Sequence, residues 1–381
     1  HGALAGAAER LRARREADFG SAQVVLVDDI FDEFADGRPD PRAIGDFLAH
    51  AHRAWDTPPR YVALVGRGHL DYRDRLGGGP PAVPAPLVAS PFGLYSGDAD
   101  LGDVDRDGVP DLVVGRIPAV DAVDLDAYLD KVETYEATAS TWADRVLLVA
   151  DNDDSGGDFE RDVGRVAAAL PPTLDVTTLE VSDGVGAARD DLRDRLEAGV
   201  GWAAWVGHGG IDRLADEGVL LATDAPSLDN VDRPTLLTAF SCNISRYELP
   251  GFTSLAEELV MAPGGAIATW APSGLTLHPD SVNAFQMMAS RAFTGEHSTL
   301  GDLLLDVGRA YGKVVVLPSD QAVYQLMGDP GLAIRLAADP DAGRIFADGF
   351  ESGDLGLWSA VVGGAPGGGG GESPPGDGGP G

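Results

Sequence analysis

At 381 residues, 44% of them apolar, the chain is long enough for one large or two ordinary domains with a sizeable core. Its formal charge of -33, from 61 acidic against 28 basic residues, excludes DNA or RNA as a partner, because holding a polyanion takes clusters of Lys and Arg. A single cysteine excludes an internal disulfide and a cysteine-rich zinc site, and no apolar run is long enough to span a bilayer.

Only Lys131 and Lys313 are lysines, and the acids are mostly aspartate, which reads as a solvated acidic surface. The chain opens at His1 without a signal-like segment and reads as a mature or trimmed form.

Taken in order, the first half alternates strand-like and helix-like runs. "AQVVLVD" (22–28) is strand-like, "PRAIGDFLAHAHRAW" (41–55) is amphipathic, and "RYVALVG" (60–66) is again strand-like. After the Pro/Gly-rich surface loop "LGGGPPAVPAP" come the strand "DLVVGR" (111–116) and the helix "DAVDLDAYLDKVETYEA" (121–137). Near-continuous Val/Leu strands separated by helices predict a parallel sheet covered on both faces.

A second alternation starts near residue 144. It runs through "RVLLVAD", a helix over 158–170, "LDVTTLEV", a helix over 187–198, "GWAAWVG", "TLLTAFS", a helix over 254–262 and "GAIATWA". Two helices over 280–311 and a strand within 322–335 close it. The expected fold class is therefore α/β with two doubly wound subdomains and mainly parallel sheets, over 1–140 and 141–338. Residues 339–381 hold a short motif, "IFADGFESGDLGLWS", and a Gly/Pro-rich tail too poor in apolar residues to order itself.

In open α/β sheets ligands sit outside the carboxyl ends of the strands. His208 follows "WAAWV", Cys242 follows "TLLTAF" and Asp151 follows "RVLLVA", so all three are expected at one edge. An unperturbed thiol is mostly protonated at neutral pH, and a nucleophilic cysteine gains from a nearby imidazole. The glycines of "GHGG" would let the backbone approach a substrate, and amides after His208 and at Cys242 would hold a developing oxyanion. Against this stand an inert thiol after a buried strand and a simple glycine turn.

"WAAWVGHGG", "LLTAFSC", "SLAEELVMAPGGAIATWAP" and "YQLMGDPGLAIR", with "DIFDEFADGRPDPRAIGDFLAHAHRAW", "PPRYVALVGRGHLDY" and "PDLVVGRIPA" ahead of them, resemble the gingipain-type cysteine peptidases of family C25, relatives of caspases and legumains. The resemblance runs over roughly residues 5–337. It implies a caspase-like fold with Cys242 as nucleophile, His208 as general acid/base, and the amides of Gly209 and Cys242 as oxyanion hole. It also implies that Asp151 orients the histidine, one methylene shorter than the family's Glu. Asp158 falls where the family places the acid that selects Arg or Lys, although the shorter loop leaves Asp153, Asp154 and Asp162 open for that place. Asp158 also reads as the N-cap of the helix that follows it. Trp270 would line the same pocket, or sit in the core.

"DVDRDGVPD" (103–111) sets carboxylates Asp103, Asp105, Asp107 and Asp111 at the spacing of a short Ca²⁺ loop, with Val114 where an EF-hand needs Glu. The alternative is an Asp-rich turn. The expectation is a secreted or cell-surface cysteine endopeptidase acting on polypeptides, with structural Ca²⁺, no catalytic cofactor and an oligomeric state left open. Its rivals are a sortase-like transpeptidase of the same fold and a non-catalytic, calcium-stabilised surface module.

Overall fold

The protein is described here by a computed structural model covering residues 2–138 and 141–336; the motif and tail expected over 339–381 lie outside the described residues. The first half supplies α1 (Ala5–Phe19), α2 (Val27–Ala35), α3 (Pro41–Ala54), β1 (Tyr61–Val65), β2 (Val113–Ile117) and α4 (Ala122–Ala137). The second supplies β3 (Arg145–Ala150), α5 (Phe159–Ala169), β4 (Asp175–Glu180), α6 (Val185–Ala198), β5 (Trp202–Val206), β6 (Thr235–Phe240), α7 (Leu255–Met261), β7 (Ala266–Pro272), α8 (His278–Ala292), α9 (Leu300–Tyr311), α10 (Pro318–Ala322) and β8 (Tyr324–Met327).

The two windings share one eight-stranded sheet in the order β1-β2-β8-β7-β6-β5-β3-β4. Every neighbouring pair is parallel except β7 with β8. The last strand therefore joins the first half's strands to the second's and reverses direction between them. The α/β class and mostly parallel sheet are as the periodicity indicates; that both windings fuse through β8 is not visible in it, because period alone says nothing of strand order. Buried side chains from both halves, among them Ile117, Leu125, Leu148 and Trp202, belong to one core, while α2 and α3 cover β1 and β2 with a smaller one.

"AQVVLVD" does not enter the sheet. Residues 21–26 carry no regular structure, and Val27 starts α2 instead. Val27, Ile30 and Phe31 repeat at helical spacing and are buried, with Asp28 and Asp29 favouring the positive end of the first turn. Five of the other helices start on caps that the sequence supplies: Asp40 for α3, Asp121 for α4, Asp158 for α5, a Ser254/Glu257 capping box for α7 and Thr299 for α9. A buried ion cluster ties the windings together, Arg15 of α1 reaching Glu136 of α4 at 2.9 Å and Asp329, just after β8, at 2.8 Å. Removing one partner of such a cluster leaves a buried charge and costs about 3–5 kcal/mol.

Candidate active site

Strand register assembles the site. Val206, the last residue of β5, pairs with Phe240 of β6 on one side and with Ala150 of β3 on the other. His208 and Cys242 thus leave adjacent strands two residues past a matched pair, and Asp151 leaves the third strand one residue past its own. Two glycines make the crossing tight. Gly207 has φ +157°, and a Cβ there would stand 2.2 Å from that of Asp151; a Cβ on Gly209 would stand 2.4 Å from Oγ of Ser241 and 2.6 Å from the carbonyl oxygen of Cys242. The histidine turn therefore lies against the cysteine turn with no room for a side chain between them.

Asp151 holds the main chain of His208. Its carboxylate accepts the His208 N–H at 2.8 Å and the Asn152 N–H at 3.0 Å, while its own N–H donates to Val206. Burial pushes its carboxyl above the usual range, against the pull of those two amides. The ring contact expected of Asp151 is made by Asp154 instead, whose Oδ2 lies 3.1 Å from Nε2 of His208. Asp154 also accepts the Gly156 N–H, which, with the imidazole, holds its carboxyl below the usual range. A one-methylene reach from the end of β3 stops at the backbone of His208; three residues further on, the loop returns to the ring. With Nε2 engaged by Asp154, Nδ1 is the ring nitrogen left for proton transfer.

Cys242 is half-buried, its Sγ 4.0 Å from the carbonyl oxygen of Thr276. Burial pushes the thiol up from its ordinary value, against the contact with Thr276, and the nearby Asp320 adds a smaller push upward. Asn243, the next residue, has φ +61°, a left-handed elbow that Asn tolerates better than most residues. Thr276 Oγ1 donates to Ser241 O at 2.7 Å and Asn243 N donates to Gly274 O at 3.0 Å, fixing the loop after β7 onto the cysteine elbow.

The acids after β3 separate into distinct environments. Asp158 caps α5 by accepting the Arg161 N–H and pairs with Arg161 Nη1 at 2.6 Å. Asp153 accepts the Glu160 N–H; its carboxyl is pushed up by partial burial and then by the adjacent charge of Asp158. Asp162 is buried against Nε2 of His278 at 3.0 Å. Trp270 is buried in an aromatic layer, 4.7 Å from Tyr324 and 6.0 Å from Phe240 between centroids, and faces a cavity of about 410 Å³ also bordered by Tyr311, Leu326, Asp103 and Asp107.

In the acidic loop, carboxylate oxygens of Asp103, Asp105 and Asp111 lie within 4.8 Å of one another. Asp107 stands outside that group, its carboxylate accepting the Val109 N–H while its own N–H donates to Asp103 and Asp105.

Phe159, Thr276 and His278 escaped sequence reasoning, and Asp154 entered it only as a substitute pocket acid. His278 and Thr276 lie far along the chain; the pairing order brings the exit of β7 beside that of β6, and the packing of α8 on α5 brings His278 to Asp162. The one local hint is the "DDSGGD" run itself, acids and glycines directly after a buried strand.

A model of peptidase family C25 matches residues 1–335. Among solved structures, the Arg-specific cysteine proteinase gingipain R superposes with a TM-score of 0.66 at 18% identity, over 80% of this chain and 70% of that one. The complex of Porphyromonas gingivalis gingipain R pro- and mature domains gives 0.64 at 18% over 80% and 72%, and a structure described only as a protease gives 0.63 at 17% over 78% and 70%. No curated protein matches.

Proposed function

This chain belongs to peptidase family C25, the cysteine peptidases whose fold it shares, and from that premise we propose that it is an endopeptidase working through Cys242 and His208. One observation carries the reading: the two residues leave adjacent, in-register strands beside a glycine that brings their turns into contact. Substrate binding completes the desolvation of the thiol. Its proton passes to Nδ1 of His208 as sulfur attacks the scissile carbonyl carbon. The resulting oxyanion is held by the amides of Gly209 and Cys242, each such donor contributing about 3–4 kcal/mol in comparable sites. The imidazolium, its other nitrogen steadied by the Asp154 carboxylate, protonates the leaving amine as the C–N bond breaks. Water then attacks the thioester, giving its proton to His208, and the thiol returns with release of the carboxylic acid.

Asp151 serves this scheme through the backbone, fixing the turn that aims the ring. A preference for Arg or Lys before the scissile bond is supported by Asp153 and Asp158, adjoining carboxylates of which Asp153 is pushed up by partial burial and then by Asp158; a substrate guanidinium or ammonium would offset both. Trp270 takes no part in that pocket in this reading, its ring being packed among Phe240 and Tyr324.

Asp103, Asp105 and Asp111 would hold a structural Ca²⁺, a hard cation that takes six to eight oxygens, with Asp107 supplying backbone geometry. The family resemblance also supports a secreted or surface location, and no helix among the described residues is long and apolar enough to cross a membrane. The test of the dyad is hydrolysis of Arg-, Lys- and Asp-linked peptide amides by Cys242→Ala and His208→Ala proteins. Loss of turnover in both, with Arg and Lys substrates preferred by the unaltered protein, is expected; unchanged turnover in Cys242→Ala would sink the reading.

A further inference from the structure

Beside the dyad stands a second imidazole–carboxylate pair that the mechanism above leaves idle. His278 opens α8, and its ring is 23% exposed; its partner Asp162, inside α5, is almost wholly buried. Phe159 separates this pair from the catalytic ring. Its centroid lies 5.4 Å from that of His208 at an interplanar angle of 80°, and 5.2 Å from that of His278 at 88°, so the phenyl ring meets both imidazoles edge-on.

The loop between β3 and α5 threads the same gap. A Cβ on Gly156 would stand 2.8 Å from Cε1 of His208, and one on Gly157 would stand 2.7 Å from Cε1 of His278. Each glycine is thus pressed on one imidazole, and the residue that reaches Nε2 of His208 is Asp154, two positions before the first of them. Residues 153–156 are exposed; Asp154 N to Gly157 O at 3.2 Å and Gly156 N to Asp154 Oδ1 at 2.6 Å close the turn on itself, and Glu160 N to Asp153 Oδ1 at 3.2 Å ties it to α5. Those bonds shape the turn and anchor its ends, and the ring of His278 is what backs it at Gly157.

We propose that His278, gripped by Asp162, is a positioning residue for His208: backing Gly157 and the edge of Phe159, it sets the loop that carries Asp154 onto the catalytic imidazole. The inference rests on the dyad reading above. Its physical basis is that orientation in a reacting group is worth far more than its stability, a displacement of about 1 Å costing on the order of 100-fold in rate. Among the described residues, Asp320 accepts the N–H of Leu277, the residue before His278, at 2.7 Å. Asp162 faces His278, Arg161 approaches Asp162 at 3.8 Å, Asp280 lies two residues on in α8 facing Val316 and Leu317, and the Asp154–His208 pair lies across Phe159. None of these substitutes for the ring that fills the space behind Gly157.

The test uses His278→Ala, His278→Gln and Asp162→Asn in the full chain. His278→Ala is expected to lower kcat by about 10–100-fold with KM within twofold, while His278→Gln, which keeps a nitrogen where Nε2 stands, recovers most of it. Asp162→Asn, nearly isosteric, is expected to lose kcat by at least fivefold and serves if His278→Ala does not fold. The ring carbon signals of His208 are read separately by NMR in ¹³C-histidine protein carrying Cys242→Ala, which needs no turnover. They should move in His278→Ala and stay in place in His278→Gln. A kcat within twofold of the unaltered protein together with an unmoved His208 signal would overturn the proposal. Retained hydrolysis in Cys242→Ala alone would instead overturn the dyad, while the ring signal would still report on the positioning.

Discussion

Two acidic loops of this protein, 103–111 and 151–158, are close in composition and opposite in design. In the first, three carboxylates converge on one another, and their nearest donors are the loop's own amides. In the second, the acids fan outward: Asp151 to the His208 backbone, Asp154 to its ring, Asp158 to Arg161. The difference lies in what surrounds them. The loop after β3 sits at the carboxyl ends of parallel strands among an imidazole, a helix N-terminus and a guanidinium, each of which draws off one acid. The other loop precedes β2, and apart from Arg106, 3.9 Å from Asp46, no cation of its own is paired. Convergent acids favour an external cation, whereas dispersed acids do positional work inside the chain.

The contrast can be broken experimentally, starting where the effect should be largest. Asp154→Asn should reduce kcat by ~100-fold with little change in KM, because the ring loses its charged anchor; a loss under threefold in steady-state peptide hydrolysis would mean that Asp154 is as dispensable as a surface acid. Replacing Asp153 and Asp158 together by Asn should lower kcat/KM for Arg and Lys substrates by ~10-fold and leave neutral substrates nearly unchanged, as competition between fluorogenic peptides would show. For the convergent loop the expected change is in stability. Ca²⁺ at saturating concentration should raise Tm by ~5 °C, Asp103→Asn should abolish the rise, and kcat should be unaffected, all readable by differential scanning fluorimetry with and without chelator.

A buried pair sharpens the comparison further. Asp320, with Asp280 beside it, is drawn up by burial to about 7, each accepting N–H groups at the start of the other's helix. A carboxyl whose folded value lies above its unfolded one contributes stability that is fully present below about pH 4 and lost as pH rises through about 7. Asp320→Asn should therefore flatten the fall in Tm across that window, the smallest of these effects.

Much of this was legible in the residues. Apolar runs with period appropriate to parallel strands gave the α/β class, and the same runs ended on His208, Cys242 and Asp151, which do meet at one edge. What was not legible depends on distance and reach. "AQVVLVD" is apolar enough for a strand, yet helical spacing of Val27, Ile30 and Phe31 claims its end. Whether a short carboxylate touches a ring or the amide beneath it is a matter of a few ångströms, so the ring contact that the resemblance implies for Asp151 is made by Asp154, while Asp151 holds the backbone. His278 is placed by the packing of α8 on α5, which no local pattern announces. Trp270, unlike the others, lies inside its strand, where its ring packs in the aromatic layer against Phe240 and Tyr324.

The most direct measurement of the central claim is to label the nucleophile with a reagent whose carboxylate the thiol displaces, leaving a stable thioether. Incubating the protein with a peptidyl acyloxymethyl ketone bearing Arg and mapping the adduct by mass spectrometry should give one label per chain, on Cys242, formed about 100-fold or more slowly in His208→Ala. A label on any other residue, or an equal rate of labelling without the imidazole, would contradict the account.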